Sequence, residues 1–92
     1  MTEPQAGLRD ELIRVARQMR GEGLVRGTSG NLSVREAGTE QFLVTPSGVD
    51  YQAMQPADLV LVDRAGHARA GDRKPSVDTP IHAAVYRARP DV

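Results

Sequence analysis

The sequence predicts an α/β fold in which a mainly antiparallel sheet is flanked by helices. Apolar stripes with helical period stand near both ends of the chain. Between them, short runs of strand chemistry alternate with turn residues, and short strands joined by short loops favour antiparallel pairing. The order read along the chain is helix, about three strands, helix.

Leu8, Leu12, Val15, Ala16 and Met19 fall on one face of a helix predicted from about Gly7 to Arg20, and Gly21 and Gly23 supply its stop. Arg26 to Asn31 is turn chemistry throughout. Leu32 to Arg35 alternates apolar and polar residues, as a half-buried strand does, and Glu36 to Glu40 reads as a hairpin loop. Gln41 to Thr45 is the second strand, closed by the tight turn Pro46-Ser47-Gly48. Met54 to Asp58 is a loop with Pro56, and Leu59 to Val62 is a short buried strand. His67 to Arg73 is polar, weakly patterned and assigned to no element. Asp78 or Thr79 can cap a second helix with Pro80 in its first turn, Ile81, Ala84, Val85 and Ala88 as its buried stripe and Pro90 as its stop.

Ninety-two residues make one domain or a piece of one, and a chain of this size buries a modest share of its surface. One Phe, two Tyr and no Trp leave few large side chains for a core. Twelve basic and twelve acidic residues cancel, so no broad field exists to hold nucleic acid or an anionic membrane, and neither partner is expected. The absence of Cys excludes disulfides and thiolate metal sites and fits a reducing cytoplasm, the expected location. No basic-then-apolar leader opens the chain, and no apolar run reaches the length of a membrane span.

Three turns can carry chemistry: Gly27 to Asn31, Thr45 to Gly48, and Lys74 to Ser76. Each offers backbone N–H groups and short hydroxyl or amide side chains at the end of a regular element. Such donors bind phosphate oxygens when they face one concavity, and are ordinary turns when they do not. Asp78 beside the third turn is either a helix cap or a carboxylate that moves a proton or binds a metal. His82, four residues on, shares its helical face. The pair is either two ligands to one ion or a carboxylate near a packed, hydrogen-bonded histidine. His67 is read as surface.

In order and spacing, these segments resemble the class II aldolase/adducin family. Gly27-Thr28-Ser29-Gly30-Asn31-Leu32-Ser33 is similar to its Gly-Asn-x-Ser signature, Thr45-Pro46-Ser47-Gly48-Val49-Asp50-Tyr51 to its second loop, and Lys74-Pro75-Ser76-Val77-Asp78 to its Pro-Ser-Ser-(Glu/Asp) segment. Tyr86 to Val92 continues the likeness. The resemblance implies a three-layer αβα fold, incomplete at the C-terminus, with residues 1–92 forming the N-terminal portion of one domain. It implies phosphate binding by Thr28, Gly30, Asn31, Ser47, Gly48 and Ser76, and acid/base catalysis by Asp78. Val77 departs from the pattern by replacing a serine hydroxyl.

The activity implied is metal-dependent cleavage of a phosphorylated ketose. A divalent metal, zinc, polarises the carbonyl and stabilises the enediolate. Its histidine ligands are expected as a His-x-His after Val92, so no metal ligand is assigned here. A phosphorylated sugar is the expected substrate and a homo-oligomer, a tetramer, the expected assembly. A ribulose-phosphate 4-epimerase-like enzyme is a second implication, since the family's epimerases carry Asp followed by Thr-Pro, as at Asp78. A non-catalytic adducin-like interaction module is a third.

Overall fold

The computed structural model describes residues 6–26, 30–36, 38–70 and 73–92. Helix α1 (Ala6–Gly21) leads into strands β1 (Ser33–Arg35), β2 (Phe42–Val44), β3 (Val60–Val62) and β4 (Ala68–Ala70), and helix α2 (Thr79–Ala88) follows. A single 3-10 turn, Pro56–Asp58, precedes β3. The strands form one antiparallel sheet in the order β1-β2-β3-β4. Ser33 pairs with Val44, and Leu43 pairs with Leu61.

Side chains of a strand alternate between its two faces, and here both faces are covered. Leu43 and Leu61 point to one side and pack with Leu12, Ile13 and Ala16 of α1 and with Tyr51, Met54 and Leu59 of the following loop. Phe42, Val44, Val60 and Val62 point to the other side and pack with Ala83 of α2. That double coverage explains why β2 and β3 are apolar at every position, and it makes the three layers helix, sheet, helix. Arginines reinforce the first layer. Arg9 donates to the Pro56 and Leu59 carbonyls at 3.0 and 3.2 Å, and Arg17 to the Met54 carbonyl at 3.0 Å.

Three elements depart from the sequence expectation. The segment left unassigned after His67 contains β4, an edge strand whose Ala-Arg-Ala composition carries no strand signal. Ile13 joins Leu12 and Ala16 as the most buried face of α1, which rotates the stripe slightly. In α2 the expected stripe is wrong. Thr79 and Ala83 are its buried residues and Tyr86 is half-buried, while Ile81 is 63% and Val85 47% exposed. Two further constraints set the rotation. The small Ala83 lets the helix approach the bulky Phe42 and Val60 side, and the Tyr86 ring packs 4.9 Å from Phe42.

Candidate functional site

The end of β2 gathers the turns. Thr45 N donates to the Leu32 carbonyl at 3.0 Å, and Thr45 Oγ1 accepts from Leu32 N at 3.1 Å. Thr45 therefore fixes the segment that carries Asn31. On its other side, Pro46 and Pro75 form an isolated antiparallel bridge. Its two bonds run from Ser47 N to the Lys74 carbonyl and from Ser76 N to the Thr45 carbonyl, both at 2.9 Å. Prolines suit this bridge, because the donors come from their neighbours and neither proline N–H is needed.

A pocket of about 210 Å³ results, lined by Gly30, Asn31, Pro46, Ser47, Gly48, Ser76, Val77 and Asp78. Of the residues singled out in the sequence, Gly30, Asn31, Ser47, Gly48, Ser76 and Asp78 share this wall. Thr28 lies outside the described residues. Gly30 has φ +89°, and a Cβ there would stand 2.6 Å from Val25 Cγ1. Only glycine fits both the backbone and the space. Gly48 has φ +74° with open space around it, so its turn needs the backbone conformation alone.

Val77 is 82% exposed, so its isopropyl group fills nothing. Among the described residues, neither the Gly48 nor the Val77 backbone N–H donates to a protein acceptor. Both can serve a ligand. The hydroxyl missing at Val77 leaves that backbone donor in place.

Asp78 stands at the N-cap of α2, yet its side chain makes no capping hydrogen bond. Thr79 Oγ1 instead donates to the Ser76 carbonyl at 2.6 Å, and Asp78 N donates to Ser76 Oγ at 3.2 Å. The Asp78 carboxylate turns to Asn31, whose Nδ2 donates to Oδ2 at 2.7 Å. Asn31 Oδ1 meets His82 Nε2, and His82 Nδ1 lies 2.6 Å from Ser33 Oγ. Ser33 Oγ lies 2.7 Å from the Tyr86 hydroxyl. Five polar side chains thus form a continuous chain from the pocket to Tyr86 in the last turn of α2. Burial holds the His82 imidazole below its usual range, with the Asp78 charge acting in the opposite direction.

Both His82 nitrogens are occupied by hydrogen bonds, so the Asp78 and His82 spacing does not serve as a ligand pair. Among the described residues no group of three or more His, Asp or Glu side chains can hold a metal ion. The divalent metal implied by the family resemblance therefore has no fitting donor set in these residues. His67 is exposed, its N–H bonded to Asp63 at 3.0 Å.

Tyr51 is a site neighbour that sequence reading did not single out. It is 2% exposed, and its hydroxyl lies 3.7 Å from where a Gly30 Cβ would stand. Among the described residues that hydroxyl has no hydrogen-bond partner. Burial pushes its pKa up; Thr45 is near enough to oppose the shift but makes no hydrogen bond of normal geometry. Ser33 is the serine of the Gly-Asn-x-Ser segment, but neither it nor Tyr86 was given a role, since nothing in their local sequence marks a contact with a residue about fifty positions away.

Residues 10–92 match the model of the class II aldolase and adducin N-terminal domain. The chain is 45% identical over its whole length to a 5-methylthioribulose-1-phosphate/5-deoxyribulose-1-phosphate aldolase of Rhodospirillum rubrum, of which it covers 40%. It is 42% identical, over 88% of its length, to a methylthioribulose-1-phosphate dehydratase of Methylococcus capsulatus, of which it covers 39%. An L-fuculose 1-phosphate aldolase structure superposes with a TM-score of 0.87 at 31% identity, covering 97% of this chain and 41% of that one. The chain spans about two fifths of the length of these relatives, and it belongs to the class II aldolase and adducin family.

Proposed function

We propose that residues 1–92 are the N-terminal portion of a single class II aldolase/adducin domain whose whole protein is a sugar-phosphate aldolase. Its substrate class is a 1-phosphorylated, 5-substituted ribulose, by likeness to the relatives named above. The observation that supports this most is the shared pocket, in which three turns distant in sequence surround one concavity with a carboxylate at its edge.

In this reading the phosphate sits against Gly30, Asn31, Ser47, Gly48 and Ser76, and Thr28 is assigned to phosphate binding by the family resemblance alone. Backbone N–H groups and hydroxyls bind its oxygens, and the N-terminus of α2 favours its charge. Repulsion from Asp78 keeps the phosphate at the glycine side of the pocket and the reacting carbons at the Asp78 side. In cleavage, the hydroxyl on the far carbon of the breaking bond gives up its proton and becomes the aldehyde oxygen, the electron pair of the C–C bond is left on the carbon beside the carbonyl, and that carbon takes a proton. In synthesis the same carbon loses it. Asp78 gives and takes this proton.

The zinc that the resemblance implies would take its ligands from residues outside this chain and would supply positive charge to stabilise the enediolate. The whole protein is proposed to be a cytoplasmic homo-oligomer, a tetramer. Support comes from the apolar Ile81 and Val85 left exposed on α2, with exposed Val77 just ahead of that helix.

A second reading is dehydration of the same kind of substrate, favoured by the likeness to the Methylococcus enzyme. Loss of water starts, as aldol synthesis does, with proton removal beside the carbonyl, so Asp78 keeps its role. Incubating the whole protein with 5-methylthioribulose 1-phosphate and 5-deoxyribulose 1-phosphate tests both. Release of an aldehyde with dihydroxyacetone phosphate is the expected result, and a dicarbonyl product would favour dehydration. No turnover of either substrate, with metal bound, would overturn the assignment.

A further inference from the structure

Asp78 reaches the pocket, but the residue that fixes its partner stands outside it. Asp78 Oδ2 accepts from the Asn31 amide nitrogen at 2.7 Å, as a carboxylate oxygen does. Asn31 Oδ1 then faces His82 Nε2, which must carry a proton to donate. A neutral imidazole with its proton on Nε2 has a bare Nδ1, which accepts from the Ser33 hydroxyl. Ser33 Oγ in turn accepts from the Tyr86 hydroxyl. Every donor in the row therefore follows from the acceptor at one end.

The terminal torsion of an asparagine is broad and roughly two-fold, so nothing intrinsic stops the Asn31 amide from turning over. A turned amide would put oxygen against the Asp78 carboxylate and withdraw its N–H groups from the pocket. The Nε2–H group of His82 is what holds the carbonyl end in place. We propose that His82 is a positioning residue: with Nδ1 taken up by the Ser33 hydroxyl, its Nε2–H group locks the Asn31 amide so that its nitrogen faces Asp78 and the pocket. The geometric part stands by itself, and its consequence for catalysis rests on the function proposed above.

Imidazole nitrogen and Asn31 side-chain NMR on the 92-residue chain tests the geometry without any substrate. The expected signature is a proton on Nε2, a bare Nδ1 accepting a hydrogen bond, and slowly exchanging Asn31 NH2 protons. A proton on Nδ1 alone would overturn the proposal. His82→Gln keeps an N–H donor near the Nε2 position, whereas His82→Leu removes it. Asn31 protection should survive in the first and be lost in the second; equal protection in both would also overturn it.

In the whole enzyme, His82→Leu should lower kcat by about tenfold to a hundredfold, as a misplaced catalytic group does. His82→Gln should restore most of that loss. Equal kcat for His82→Leu and wild type contradicts the positioning role. If the whole protein turns over no sugar phosphate, only the proposed function fails, and the NMR result still decides the geometry.

Discussion

Asn31 Nδ2 stands 2.7 Å from Asp78 Oδ2, so a turn ahead of β1 and the residue ahead of α2 share a hydrogen bond across 47 positions of sequence. Hydrogen bonds to a charged group are among the stronger ones in proteins. This one sets the direction of the carboxylate, which an N-cap would otherwise turn onto its own helix. The absence of a capping bond from Asp78 follows from the same contact.

Because Asp78 does not cap α2, replacing it separates chemistry from stability. Asp78→Asn should cut the proposed turnover of the whole protein by at least ~10²-fold if the carboxylate moves a proton. The melting temperature should stay within a few degrees of wild type, since no cap is lost. Steady-state kinetics beside thermal denaturation checks this, and matched losses of both would make Asp78 structural.

The two glycines of the pocket should respond differently to a methyl group. Gly30→Ala meets Val25 at 2.6 Å as well as a positive φ, whereas Gly48→Ala meets only the backbone conformation. A left-handed residue other than glycine costs about 1–2 kcal/mol, so Gly48→Ala should lose that amount and Gly30→Ala clearly more. Urea unfolding of both variants measures the difference.

Tyr51 buries a hydroxyl with no partner among the described residues. An unsatisfied buried polar group costs free energy, so removing it while keeping the ring should not destabilise the chain. Tyr51→Phe should leave stability unchanged or raise it by up to about 1 kcal/mol. A loss of that size would reveal a hydrogen bond made by the phenol.

His82 gives the chain an acid sensitivity whose sign is set by burial. Its folded pKa lies below the ordinary 6.5, so protons bind the unfolded chain first. The stability it contributes is complete above about pH 6.5 and falls as the pH drops below that value, until the folded imidazole also takes a proton. Denaturation at pH 7 and pH 5 should show this fall in wild type and a smaller one in His82→Gln. An equal fall in both would place the acid sensitivity elsewhere.

Much of the site was legible because its donors sit on turns, and turns declare themselves in sequence. Asn31, Ser47, Gly48 and Ser76 are short polar or flexible residues at the ends of regular elements, and Asp78 follows directly on the third turn. What joins them was not legible. The Pro46–Pro75 bridge depends on backbone donors of neighbouring residues, and the Ser33 to His82 contact spans 49 positions. For His82 the sequence offered two readings, and the structure bears out the hydrogen-bonded one. The fold was readable where the hydrophobic pattern was plain, in the helical period of α1 and the continuous apolar runs of β2 and β3. It failed in β4, whose alanines carry no strand preference. It failed in α2, where the apolar period of Ile81 and Val85 competes with a face built from Thr79, Ala83 and Tyr86.

The central claim is that three separate turns bind one anion beside Asp78. Titrating the isotope-labelled chain with a ketose 1-phosphate while following backbone amide shifts tests it most directly. Gly30, Asn31, Ser47, Gly48, Ser76 and Val77 should shift together with one dissociation constant, and Asn31→Ala should weaken that constant by about tenfold, equivalent to roughly 1.4 kcal/mol. Shifts confined to one turn, or scattered over other surfaces, would contradict it.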